Sequence, residues 1–164
     1  WLLSFGGAFQ RAGIYKTGVN EKDRKEFRTF LRNYIENELI EEYKKGIEKE
    51  EIHIQNITKL SKKSKEFLPI LNAEMNFGIS QKLLNLILKY YWCLGILKVP
   101  PPHCPVDSII QKKIPTKNRV AWTKMTSRDS YEKVIDCIRE KVKPNSSIAQ
   151  WELENFSRNQ SKIK

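Results

Sequence analysis

The chain has 164 residues, 40% of them hydrophobic and 30% charged, with seven glycines and seven prolines. That is apolar mass for one domain, residues 1–164, around a modest core, and it excludes a low-complexity or disordered chain. A net charge of +11 points to a polyanionic partner, nucleic acid before an anionic membrane surface.

In chain order, WLLSFGGAFQRAGIY lacks the cationic lead and long apolar run of a signal peptide, and the missing initiator Met points to residues ahead of Trp1. Asn20 is a helix N-cap before Phe27, Phe30, Leu31, Tyr34, Ile35, Leu39, Ile40 and Tyr43, whose helical period runs to Gly46. Two shorter helices are expected next, one through Ile52–Leu60 and one from about Ser64, with Pro69 tolerated or kinking the second. Gly78 or Ser80 opens an apolar helix to about Leu94, ended by Gly95 and the prolines at 100–102. A further helix starts near Asp107 and stops before Pro115. Thr126 or Ser127 caps another, and a last one follows Ser147. The expected fold is all-α, a compact multi-helix domain.

Three cysteines, Cys93, Cys104 and Cys137, sit at unrelated spacings, with no CxxC and no His/Cys pair at zinc spacing. No disulfide framework, metal or cofactor is expected, and the location is a reducing, cytoplasmic (intracellular) one. Asn85 and Lys89 interrupt the most apolar run, which argues against a membrane span. Oligomeric state is not legible.

Charge is segregated. Ten of the 19 acids lie between Glu21 and Glu51, whereas Met75 to Arg128 holds one acid, Asp107, against nine lysines and arginines. Composition alone would put roughly six acids in that window. A stretch that sheds carboxylates and keeps cations suits a nucleic-acid surface.

Within SQKLLNLILKYYWCL, Lys82, Asn85 and Lys89 fall within about 60° of one another on an otherwise apolar helix. The stripe either faces solvent or lines a cleft. A lysine near a helix N-terminus meets the positive end of the dipole, which favours the neutral amine that a nucleophile needs. The turn Asn76–Ser80 is either an ordinary helix connection or a set of backbone donors able to hold a phosphate. Asp107 reads first as an N-cap. A cap also holds one carboxylate oxygen rigidly and leaves the other to stabilise positive charge at a sugar C1′.

GISQKLLN from Gly78 to Asn85, followed by PVDSII from Pro105 to Ile110, resembles the active-site segment of helix-hairpin-helix DNA glycosylases, the superfamily of endonuclease III and 8-oxoguanine glycosylase. Gly78 and Ile79 match the hairpin, Lys82 the nucleophilic lysine of bifunctional members, and Asp107 the essential aspartate. Ala149-Gln150-Trp151 loosely resembles the last helix of the 8-oxoguanine branch. Ser80 replaces the second hairpin glycine, Ser108 stands where Thr or Val is usual, and the 25-residue Lys82–Asp107 interval is longer than in the commonest members.

The resemblance implies a helix-hairpin-helix motif, with hairpin and active-site segment at about 64–114. It implies a glycosylase, with or without lyase activity at abasic sites, acting on a damaged or modified base flipped from double-stranded DNA. Asp107 would stabilise the cationic sugar and Lys82 would attack C1′. Gly78, Ile79, Ser80 and Gln81 would hold a phosphate. Lys112, Lys113, Lys117, Arg119 and Lys124 would track the backbone without reading sequence. Trp92 and His103 are candidate base-pocket residues, with Tyr90, Tyr91 and Trp122 as further stacking candidates. The rival readings are a non-catalytic helical DNA- or RNA-binding module and a basic adaptor for an acidic surface.

Overall fold

A computed structural model describes residues 1–46 and 49–156. The fold is all-α. Among the described residues eight α-helices run in chain order, α1 Leu2–Phe9, α2 Glu21–Tyr34, α3 Ile40–Lys45, α4 Glu50–Lys63, α5 Phe77–Cys93, α6 Ser108–Gln111, α7 Arg128–Arg139 and α8 Ile148–Asn155. Among the described residues the only strand-like pairing is an isolated antiparallel bridge, Tyr15 to Leu71. No described helix is long and apolar enough to cross a membrane.

Helix α5 is the axis of the domain. Phe77 through Asn85, Ile87 and Leu88 are all buried, as expected of a helix that is apolar nearly all round. Helices α1, α4 and α7 pack against it. Burial of Leu83, Leu84, Ile87 and Leu88 contributes about 1.5–3 kcal/mol for each side chain. Gly7 lets α1 approach closely, since a Cβ there would sit 2.8 Å from Leu86 Cδ1. The N-terminal segment, expected only not to be a signal peptide, thus supplies a core helix.

The expected boundaries shift in informative ways. Asn20 caps α2, accepting from the Asp23 amide at 2.9 Å. The long helix it opens passes through one π turn, Ile35–Leu39, before α3. That turn keeps Ile35, Leu39, Ile40 and Tyr43 all facing the core. Gly46, at φ 86°, ends it. The expected helix from Ser64 is one 3₁₀ turn, Ser64–Phe67, because Pro69 follows at once.

The cap of α5 is Asn76, two residues ahead of the expected Gly78 and four ahead of Ser80; its side chain accepts from Ile79 N at 2.9 Å. Gly95, at φ 72°, turns the chain out of α5 into the proline spacer. Residues 103–106 are buried, with a bend at His103, and Asp107 starts the single-turn α6. Ser127 and Ser147 cap α7 and α8, each accepting from a backbone N–H three residues on.

Candidate active site

Lys82 lies on the second turn of α5 and Asp107 is the N-cap of α6, and the fold brings them together. Asp107 Oδ1 accepts from the Ile109 and Ile110 amides at 2.8 and 3.0 Å. Its Oδ2 lies 3.8 Å from Lys82 Nζ, with the two side chains 14% and 9% exposed. The ammonium also sits 3.9 Å from the centroid of the Trp122 ring. A carboxylate and a π face both attract an ammonium, so the amine is held by neighbours. The helix dipole contributes less than expected, because the helix starts at Phe77 and the field fades beyond the first turn.

Trp122 is in place because the N-terminus of α5 grips its loop. The Gly78 amide donates to the Met125 carbonyl at 2.9 Å, and Asn76 Nδ2 donates to the Thr123 carbonyl at 2.7 Å. A Cβ at Gly78 would overlap the Trp122 carbonyl oxygen. The glycine serves this backbone approach.

The phosphate role expected of Gly78, Ile79, Ser80 and Gln81 is therefore corrected. All four are buried. The Gly78 amide is bonded to Met125, and those of Ile79 and Ser80 to Asn76. A loop carbonyl occupies the position where an anion would have met the helix N-terminus.

Gln81 instead binds the segment ahead of Asp107. Its Nε2 donates to the Val106 carbonyl at 2.8 Å and to the Gly78 carbonyl at 3.0 Å. Its Oε1 accepts from the Val106 amide at 3.1 Å. Gln111 ties down the loop with one bond, accepting from the Val120 amide at 2.7 Å.

His103 does not enter a base pocket. It is 1% exposed, hydrogen-bonds the Tyr131 hydroxyl through Nδ1 at 2.9 Å, and pairs with Glu50 through Nε2. Asn85 joins the same buried network, donating to Gln81 Oε1 at 3.2 Å and to the Tyr131 hydroxyl at 3.0 Å. The hydrogen bond from His103, with Arg139 adding to it, holds the Glu50 carboxyl at about 2. Burial, reinforced by His103, keeps the His53 imidazole well below its ordinary range.

Trp92 is half-buried and lies about 15 Å farther along the α5 axis than Lys82, away from the pair. Trp122 is the aromatic that is on site.

Of the basic residues, Lys112, Lys117 and Lys124 are exposed and Lys113 is half-exposed. Arg119 is exposed, but its guanidinium donates to the Ile114 carbonyl at 3.0 and 2.9 Å and to the Lys112 carbonyl at 3.1 Å, tying off the end of α6. Two depressions flank Val120. One, of about 190 Å³, is lined by Ser108, Gln111, Ala121 and Trp122 beside the pair. The other, of about 510 Å³, is lined by Lys117, Asn118, Ser130, Lys133 and the acidic Asp136.

The third member of the stripe on α5, Lys89, also points inward, straddling both oxygens of Glu152 on α8 at 2.9 and 2.6 Å. No part of the stripe is a plain solvent-facing edge. Among the described residues no group of three or more His, Cys, Asp or Glu side chains is arranged to hold a metal ion.

Sequence reasoning chose Lys82 and Asp107, singled out Gln81 for a phosphate role rather than its bonds to Val106, and missed Gln111, Tyr131 and, for Lys89, Glu152. Polar residues inside apolar helical runs were the available signal. Comparisons with protein-family models, with curated proteins and with solved structures found no match to this chain.

Proposed function

We propose that this chain is a DNA glycosylase with lyase activity at abasic sites, acting on a nucleotide flipped out of double-stranded DNA. One observation carries the reading: Lys82 Nζ and Asp107 Oδ2 meet at 3.8 Å near the starts of two successive helices. They are the two residues that the resemblance to helix-hairpin-helix glycosylases singles out.

In the reaction, the ammonium of Lys82 gives a proton to the departing base. The resulting amine attacks C1′, and the electrons of the glycosidic bond leave with the base. Asp107, fixed by two backbone donors, faces the positive charge that develops on the sugar. Transfer of a proton from Lys82 N to O4′ then opens the ring and leaves an iminium; loss of the C2′ proton to water expels the 3′-phosphate by β-elimination and cuts the strand, and water hydrolyses the imine to free Lys82.

The turn Asn76–Ile79 stands where the family has its hairpin, but its donors hold the loop 122–125. The backbone track is therefore the loop itself: Lys112, Lys117 and Lys124 on its surface, and Lys117 with Lys133 around the larger depression. That depression shares Val120 with the small one at Trp122.

The small depression also favours the second reading, a non-catalytic DNA- or RNA-binding module, because 190 Å³ is below the ~300 Å³ at which ligand pockets start. Under that reading Asp107 only caps α6. Incubation with duplex DNA carrying a panel of oxidised, alkylated and bulky modified bases separates the two. The glycosylase reading expects release of at least one base, reduced about 100-fold or more by Asp107→Asn at unchanged DNA affinity. Tight, salt-sensitive binding with no release from any substrate would leave the module.

A further inference from the structure

Gln81 and Lys82 are neighbours on α5, and Val106 and Asp107 are neighbours at the mouth of α6. The Gln81 amide spans the gap between the two segments. Its Nε2 donates to the Val106 carbonyl at 2.8 Å and its Oε1 accepts from the Val106 amide at 3.1 Å. A strand partner would make the same pair of bonds, and here one side chain supplies both. Nε2 also donates to the Gly78 carbonyl at 3.0 Å, within its own helix. Oε1 also accepts from Asn85 at 3.2 Å, and Asn85 is anchored to Tyr131. Gln81 is 0% exposed, so neither half of the amide has water as an alternative partner.

We infer that Gln81 is a positioning residue that sets the separation of Lys82 from Asp107 by pinning the Val106 backbone to α5. The buried segment 103–106 has no strand beside it and no backbone-to-backbone hydrogen bond among the described residues, so other backbone does not fix its sliding along α5. Asp107 is one peptide beyond the clasp, and a slip at Val106 is passed directly to its carboxylate. In the neighbouring segment Gln111 makes one bond of this kind, accepting from the Val120 amide two residues before Trp122, whose ring lies against the Lys82 ammonium. The catalytic consequence rests on the glycosylase reading; the control of the Lys82–Asp107 distance does not.

Two readouts keep these apart. The first is the rate at which formaldehyde and cyanoborohydride methylate Lys82, followed by peptide mass spectrometry with Lys89 as internal reference. Gln81→Met removes both bonds to Val106. It should speed Lys82 methylation about threefold or more, because the amine loses its carboxylate neighbour. Asn85→Leu lies in the same network but leaves both Val106 bonds, and should not. Equal rates in Gln81→Met and wild type overturn the inference, as does an equal rise in both variants, which would mean general loosening. If Gln81→Met does not fold, Gln81→Glu replaces it: the acceptor for the Val106 amide stays, the donor to the carbonyl goes, and a rise above the Asn85→Leu rate is still required.

The second readout is imine formation with abasic-site DNA, in which the Lys82 amine and the sugar aldehyde lose water and borohydride reduces the product. Gln81→Met should slow it about tenfold, with the Kd for DNA within about twofold of wild type. If the wild-type protein forms no adduct at all, the lyase reading fails and the methylation rates alone decide the role of Gln81.

Discussion

Helix α5 carries two lysine–carboxylate pairs seven residues apart, and they are built differently. Lys89 closes on Glu152 to 2.6 Å, with the carboxylate side chain 2% exposed. Lys82 stays 3.8 Å from Asp107, and that carboxylate is 14% exposed. Glu152 has no backbone donors to hold it, so the lysine supplies its hydrogen bonding; burial still pushes its carboxyl above the ordinary range. Asp107 already has one oxygen committed to two amides, and Trp122 takes a share of the ammonium. The first is a close, buried ion pair, hydrogen-bonded through one carboxylate oxygen. The second is held by its surroundings at a distance longer than a hydrogen bond.

The two lysines should therefore respond to mutation in opposite ways. Lys82→Ala is expected to remove covalent capture of DNA by orders of magnitude while costing little stability. Lys89→Met should leave capture within a few-fold and cost about 3 kcal/mol in urea unfolding, because it strands a buried carboxylate. If both variants lose activity in proportion to lost stability, the distinction between the pairs is wrong.

Gly78→Ala sharpens the same contrast at lower amplitude. The added methyl must push the Trp122 carbonyl away from α5, at about 1–3 kcal/mol. Since that loop carries Trp122, the variant should weaken capture at Lys82 more than an equally destabilising change at the α1–α5 contact, such as Gly7→Ala. Equal losses in the two variants would show that the Trp122 loop has no particular claim on the site.

The smallest effect is on acid stability, from the network behind the pair. His53 is depressed in the folded state, so its contribution is whole above its ordinary value of 6.5 and is lost as pH falls below it. Glu50, at about 2 in the folded protein against an ordinary 4.5, adds a second loss between those values. Thermal melts should decline from about pH 6.5 downward. His53→Gln should flatten the first limb and Glu50→Gln the second. A flat wild-type profile from pH 7 to 4 would show that the buried network does not hold the protons this way.

The sequence carried much of this arrangement in local signals. Caps such as Asn20, Asp107, Ser127 and Ser147 were legible because an N-cap is set by one short polar side chain next to an apolar period. Lys82 and Asp107 were legible as a cation on an apolar helix and a lone acid in a basic window. Long-range facts were not. Nothing local announces that the α5 N-terminus will grip Thr123 and Met125, so the turn read as a phosphate site. His103, in a proline-rich loop, looked available for a pocket; its burial depends on Tyr131 and Glu50, distant in sequence. Helix α1 escaped notice because Gly6 and Gly7 weaken its helical pattern, and the close packing that stabilises it comes from α5.

Borohydride trapping on duplex DNA with a single abasic site, with the adduct mapped by peptide mass spectrometry, tests the central claim without knowledge of the released base. The account predicts one DNA-linked peptide, containing Lys82, that disappears in Lys82→Arg while DNA affinity persists. An adduct spread over Lys112, Lys117 and Lys124, or one unchanged in Lys82→Arg, would contradict it.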